Sequence, residues 1–276
     1  MKAVVVNDCA HVMEDLIPYL SRSFDVEFIK RTRGPWSKTF GIFWRILGAK
    51  GDLYHVNYAL QDSYFVDKLK HKLDILHVHG SDVRWTIHSA KYGWIVRNNL
   101  KNARRVLYAT PDLEEIVKRI RPDAIYLPTP IKTDVFVMKN RYNDPLRAVH
   151  FRVPYEQLPS ELRKYLSNNN ISLTVKERNV PYDEMPNRLM DFDIFIDQLT
   201  IPSLSKTCLE AMSSGLATID HRHKHQLSER TSFLSDISNT EKAGKENRKY
   251  VVESHEVRKV ATLLSEIWKE TAALTR

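Results

Sequence analysis

His79 and Asp82 fall in Val78-His-Gly-Ser-Asp-Val-Arg84, directly behind the apolar run 75–78. In open parallel sheets ligands gather beyond the carboxyl ends of strands, so an imidazole and a carboxylate placed there could meet a sugar hydroxyl or a phosphate. The competing reading is a plain strand-to-helix turn, tightened by Gly80 and capped by Ser81 or Asp82. A second segment, Ser203-Leu-Ser-Lys-Thr-Cys-Leu-Glu-Ala-Met-Ser-Ser-Gly215, follows a strand pattern ending at Asp197-Gln198. Ser203 and Ser205, flanking Leu204, suit the start of a helix, and Gly215 suits its end. The free N–H groups and dipole of such an N-terminus favour an anion. Lys206 adds charge there and Thr207 a hydroxyl. Glu210 stands one turn further in, where a carboxylate suits the two hydroxyl donors of a ribose. The alternative for Glu210 is an exposed place on an ordinary amphipathic helix.

A third segment, Trp36–Lys50, carries apolar residues rather than reactive ones. Phe40, Phe43, Trp44 and Leu47 recur at i, i+3, i+4 and i+7, one face of a helix. Lys30, Arg31, Arg33, Lys38, Arg45 and Lys50 surround it. Aromatic residues flanked by cations let a helix lie in an anionic membrane interface, with Trp36, Phe40, Phe43, Trp44 and Arg45 as the contact. A stripe packed on its own domain is the other reading. Weaker signals carry less. His221-Arg-His223-Lys-His225 lacks a fixed acidic or cysteine partner for a metal. Asp191-Phe-Asp193 runs straight into an apolar strand, and no metal is expected. Aromatic and basic residues are interspersed, yet no nucleic-acid motif accompanies them.

The elements that must hold these residues alternate. Short β-branched runs (2–6, 26–29, 53–56, 75–79, 105–108 and 124–127) are separated by amphipathic helical patterns, including one over 86–100. The alternation resumes with strands near 148–152, 172–175, 194–197 and 217–219. This predicts α/β architecture with parallel sheets covered on both faces. Leu127-Pro-Thr-Pro-Ile131 and the polar stretch up to Pro145 read as a linker, giving two Rossmann-like domains over 1–136 and 137–276. Residues 239–249 read as an exposed loop. Residues 1–137 carry 21 Lys and Arg against 15 Asp and Glu, and the remainder 21 against 19, so most of the net charge of +8 lies in the first half. Two cysteines make no disulfide framework, and no apolar stretch reaches the ~20 residues of a membrane helix. A reduced, cytoplasmic setting follows as the expectation. Glycine is scarce, 8 of 276 residues against a usual ~7%. With no GxGxxG and no GxxxxGK[ST], dinucleotide dehydrogenases and P-loop NTPases are disfavoured.

The order of HGSDVR, ATPDL, LPTPIKTDVF, VPYDEMP, DIFIDQ and LEAMSSGLATI along the chain resembles that of GT-B fold glycosyltransferases. It is most similar to the retaining family-4 group (glycosyl transferases group 1) of the prokaryotic HGSD type. The resemblance implies two Rossmann-like domains facing across a cleft, the last helix packing back on the first. The second domain would bind a nucleotide-sugar donor and the first a glycan or lipid-linked acceptor, with no metal and no other cofactor. A peripheral place at the inner face of the membrane would follow. In this scheme Glu210 matches the glutamate that contacts the ribose, and Ser203, Leu204 and Ser205 the loop before its helix. His79 matches the histidine near the transferred sugar and phosphate, and Arg152 the basic residue on the diphosphate. Pro202 stands where the family has its first donor-site glutamate, and Ser203 and Ser205 where it has glycines. Asp197 or Gln198 is then the candidate to position the sugar.

Overall fold

The computed structural model describes residues 1–31, 40–153, 156–177, 179–223, 234 and 236–274. The chain forms two compact units, Met1–Pro130 with Val257–Arg276, and Ile131–Glu256. In the first unit a parallel sheet has the order β2-β1-β3-β4-β5-β6. Its strands are β1 (Lys2–Val6), β2 (Asp25–Ile29), β3 (Leu53–Asn57), β4 (Ile75–Val78), β5 (Arg105–Tyr108) and β6 (Ile125–Tyr126). Helices α1 (Val12–Leu20), α2 (Ile42–Gly48), α3 (Gln61–Lys70), α4 (Ser81–Arg84), α5 (Gly93–Asn102) and α6 (Glu114–Lys118) connect them. The alternation of side chains along each strand sorts the core into two layers. Val4, Val6, Tyr54, Val56, Leu76 and Val78 face one side, under α2, α3 and α5. Ala3, Val5, Leu53, Ile75 and Leu107 face the other.

The second unit holds β7 (Arg147–Phe151), α7 (Ser160–Asn168), β8 (Ser172–Lys176), α8 (Met185–Met190), β9 (Ile194–Ile196), α9 (Lys206–Ser213), β10 (Ala217–Ile219) and α10 (Ile237–Ser254). Its parallel sheet runs β10-β9-β7-β8. Strand order reverses between β1 and β3 in one unit and between β7 and β9 in the other. The connections there leave in opposite directions and open a crevice at the carboxyl edge.

The division, the stretch 239–249 and the helix over 86–100 differ from expectation. The division falls at 130 rather than 136, because Ile131 donates its N–H to His255 O at 2.8 Å and Phe136 lies in the second unit's core. The terminal helix α11 (Val257–Ala273) belongs to the first unit. Its Val257, Val260, Leu264, Ile267 and Trp268 make one apolar face that closes the layer of Ala3, Val5 and Leu16. Each such side chain contributes roughly 1.5–3 kcal/mol on burial. Finally, residues 239–249 are not a loop but the middle of α10. Asp236 caps that helix through Asn239 N–H at 2.8 Å. Gly244 sits where an added Cβ would come 2.0 Å from Gly215 O, so glycine is what lets the helix lie on the α9–β10 turn. The helix expected over 86–100 is also split, into a short turn at Thr86–His88 and α5.

Candidate functional site

At the carboxyl edge of the first sheet, β1, β3 and β4 deliver Asn7, Asn57 and His79 to one place. His79 Nε2 meets Asn57 Oδ1 at 2.9 Å, and Asn57 Nδ2 donates to Asn7 O at 3.1 Å. Burial lowers the His79 pKa to about 3, so its ring is neutral at physiological pH. Asp82 is fully buried and accepts the N–H groups of Gly80 (2.9 Å), Ala59 (3.1 Å) and Val83 (3.1 Å). Burial raises its pKa against the pull of those bonds. Its carboxylate is committed to backbone N–H groups of the turn, but not as the expected helix cap, since Gly80 is the N-cap of α4 and no side chain caps that helix. Tyr58 adds a hydroxyl bonded to Ser81 Oγ. Asp62, buried, holds Arg31 through two bonds of 2.8 Å.

The turn after β1 lacks glycine yet keeps a backbone that glycine favours: φ is 64° at Asn7, 52° at Ala10 and 61° at His11. The N-terminus of α1 is already satisfied from within, since Asp8 accepts Met13 N–H at 2.9 Å and Glu14 N–H at 3.2 Å. An anion at that helix end would meet a carboxylate.

In the second unit Asp197 directly follows β9 and ties down the loop before α9. It accepts Ser205 N–H at 2.8 Å and Ser205 Oγ–H at 2.6 Å, and burial raises its pKa. Ser205 in turn caps α9 through Cys208 N–H at 3.1 Å. Ser203 is buried, and Leu204 packs against the core of α8 and α9. Thr207, in the first turn, makes no hydrogen bond through its N–H or hydroxyl among the described residues. Glu210 is buried, not on an exposed face. Lys206 lies 3.4 Å from Glu210 and donates to Tyr182 Oη at 2.8 Å. The lysine expected to face an anion is thus turned back onto the glutamate. Tyr182 lies under two cations, with Lys206 Nζ 4.4 Å and Lys132 Nζ 5.1 Å from its ring centre. Arg152 is 61% exposed and paired with Glu177 at 2.8 Å. It also lines a cavity of about 360 Å³ with His150, Glu156 and Arg163. Glu156, which the sequence did not single out, accepts Leu199 N–H at 2.6 Å.

The aromatic segment is divided. Trp36 lies outside the described residues. Ile42 and Ile46 form the buried face of α2, whereas Phe40 and Trp44 are 59% and 64% exposed. Phe43 packs edge-on against Phe65 at 5.4 Å, and Arg45 donates to Lys30 O at 2.7 Å. Ring contacts continue through Phe65 and Tyr64 to the exposed Trp94 on α5. Tyr64, Phe65 and Trp94 escape a sequence reading because they come from helices distant in the chain. No helix among the described residues is long and apolar enough to cross a membrane.

The weak metal signals find other uses. Asp193 is fully buried, bonded to Lys139 Nζ at 2.6 Å and to Arg147 N–H at 2.8 Å. His221 and His223 lie in a helical turn, and His225 lies outside the described residues. Asp220 is held by Arg222 through bonds of 2.8 and 2.6 Å. Burial pushes its carboxyl up, but Arg222 and His223 outweigh this and hold it below the usual range. No cluster able to hold a metal occurs among the described residues.

No family model and no curated protein matches this sequence. Solved structures do. Sucrose-phosphate synthase from Thermosynechococcus elongatus superposes with a TM-score of 0.71 at 11% identity, over 99% of this chain and all of that one. The N-terminal domain of Candida albicans trehalose-6-phosphate phosphatase gives 0.65 at 7%, over 98% and 99%. AviGT4, a glycosyltransferase of avilamycin A biosynthesis, gives 0.54 at 11%, over 99% and 98%. The chain therefore has the GT-B fold, two Rossmann-like units with parallel sheets, as its motif order led us to expect.

Proposed function

We propose that the protein is a glycosyltransferase. It would move a sugar from a nucleotide-sugar donor to a glycan or lipid-linked acceptor with retention of configuration. The observation that carries this reading is Glu210 on α9. A buried carboxylate one turn into a helix, behind the carboxyl end of a strand beside a switch point, sits in a chain of GT-B fold. Glu210 would accept the ribose hydroxyls once Lys206 lets go, and the α9 N-terminus with Thr207 would face the diphosphate. Arg152 would supply a further cation. His79 would contact the transferred sugar. In a front-face reaction the bond from the anomeric carbon to the leaving phosphate breaks as the bond to the acceptor oxygen forms on the same face. The acceptor's proton passes to that phosphate. The protein's share is positioning and stabilisation of charge on the leaving diphosphate, and no metal is invoked.

Glu210→Ala and His79→Ala should each lower donor-dependent transfer by about 10²-fold or more. Full activity in both variants would remove the site assignment. A second reading, a GT-B-like protein that binds a nucleotide, glycan or partner protein without turnover, is favoured by one observation. The carboxylate meant for a ribose is ion-paired to Lys206, where Pro202 replaces the family's glutamate. Calorimetry with UDP, GDP and nucleoside monophosphates separates the two: nucleotide binding with hydrolysis of a sugar nucleotide supports the enzyme, and neither supports the second.

The exposed Phe40 and Trp44, with the cations around α2, fit a peripheral site on an anionic membrane at its cytoplasmic face. Anionic vesicles should bind the wild type and not Trp44→Glu/Arg45→Glu. Equal binding by both would place the contact elsewhere.

A further inference from the structure

Beneath His79 lie two more imidazoles that the proposed reaction does not use. His55 on β3 and His77 on β4 occupy the same face of the sheet, under α11. The ring centres of His55 and His77 are 5.6 Å apart, and those of His77 and His79 are 4.1 Å apart at an interplanar angle of 41°. His55 Nδ1 accepts from Trp268 Nε1 at 3.0 Å. His77 is 1% exposed, and neither of its ring nitrogens has a hydrogen-bond partner among the described residues. A buried, unpaired donor or acceptor is destabilising, so an apolar side chain would serve packing better. The imidazole at 77 calls for another explanation, and its nearest ring neighbour is His79.

The tautomer of His79 follows from its neighbours. Asn7 O can only accept, so the Asn57 atom 3.1 Å from it is the amide nitrogen. The other terminal atom of Asn57 is then Oδ1, which can only accept from His79 Nε2. A neutral His79 therefore carries its proton on Nε2 and a lone pair on Nδ1. Nδ1 has no partner among the described residues and, unlike the nitrogens of His77, is not sealed from solvent.

We infer that His77 and Asn57 are positioning residues: the ring of His77 supports the His79 ring from one side and Asn57 fixes its Nε2–H, so that His79 offers a ligand a hydrogen-bond acceptor at Nδ1. A sugar hydroxyl satisfies that acceptor; a phosphate oxygen does not. His79 thus recognises the hydroxyl-bearing part of a substrate and leaves the diphosphate to other groups. The substrate class rests on the proposed glycosyl transfer; the positioning does not.

The test is long-range ¹H–¹⁵N spectroscopy of the imidazoles in the ¹⁵N-labelled full chain at pH 7, with His79→Gln to assign the signal. The wild type should show a protonated Nε2 and an unprotonated Nδ1 at His79. His77→Ala should average the two nitrogens and lower the kcat of sugar-nucleotide hydrolysis about tenfold. His77→Phe, which keeps a stacking ring, should restore both. An imidazolium or an Nδ1–H tautomer in the wild type overturns the inference without any variant, and so do unchanged His79 signals in a folded His77→Ala. The predicted tautomer in a protein that turns over no sugar nucleotide would sink the proposed function and leave the positioning intact. Turnover with the opposite tautomer would do the reverse.

Discussion

Ala10 holds a φ of 52°, a conformation that costs an L-residue about 1–2 kcal/mol. Ala10→Gly should therefore raise stability by about 1 kcal/mol in urea denaturation; a loss would mean that the Cβ packs usefully. The histidine column makes a second prediction at this scale. Burial lowers the His55 and His79 pKa values to about 3 and that of His77 well below its usual 6.5, helped at His55 and His77 by the charge of neighbouring imidazoles. Between about 3 and 6.5 the unfolded chain binds these protons and the folded one does not. Their contribution is fully present above 6.5 and is lost as pH falls, at about 1.4 kcal/mol per pH unit for each fully neutral ring. Urea titrations at pH 7, 6 and 5 should show this slope, reduced by about one ring in His77→Phe. A slope unchanged in that variant would mean that His77 is protonated in the folded state. Histidines 77 and 79 were visible in the sequence, but only 79 read as chemistry. A buried imidazole two residues earlier on a strand cannot be told from a core residue until its partners are known.

Among the elements, α10 shows where periodicity fails. Its buried positions, Thr240, Gly244 and Val251, include one apolar side chain only, so the stretch looks polar throughout and no stripe marks it. Contact through glycine replaces contact through side chains. Gly244→Ala would drive a methyl into Gly215 O and should cost about 1–3 kcal/mol. Gly48 at the end of α2 has nothing within 4 Å of an added Cβ, and Gly48→Ala should gain up to about 1 kcal/mol. Thermal unfolding of the two variants should move in opposite directions; equal shifts would refute the packing role. Strands β1 and β5 were legible to the residue, because short apolar runs behind a single basic residue, buried on both faces, fit a central parallel strand. The cap of α9 was legible for the same kind of local reason, a serine before an apolar pattern. The Lys206–Glu210–Tyr182 contact was not. It joins α9 to the VPYDEMP segment, and nothing in local sequence encodes that meeting.

At the scale of the molecule, the chain returns to its first unit at the end. Trp268 is fully buried in that unit, edge-on to Phe24 at 5.2 Å and bonded to His55. Trp268→Ala should cost about 3–5 kcal/mol, a large share of the ~5–15 kcal/mol that a folded domain has. It should also loosen His55, the base of the column. Hydrogen exchange should show lost protection in β1 and β3 of the first unit while β7 and β9 keep theirs; uniform loss would mean that the two units unfold as one. The GT-B fold was legible from motif order across the whole chain, whereas the state of the donor site was not, because it depends on which way Lys206 turns. The central claim, turnover of a nucleotide sugar through Glu210, is tested most directly by a hydrolysis screen across nucleotide-sugar donors, which requires no acceptor. The account predicts slow release of nucleoside diphosphate from at least one donor by the wild type, and its loss in Glu210→Ala. Hydrolysis of none of them, or hydrolysis undiminished in Glu210→Ala, would contradict it.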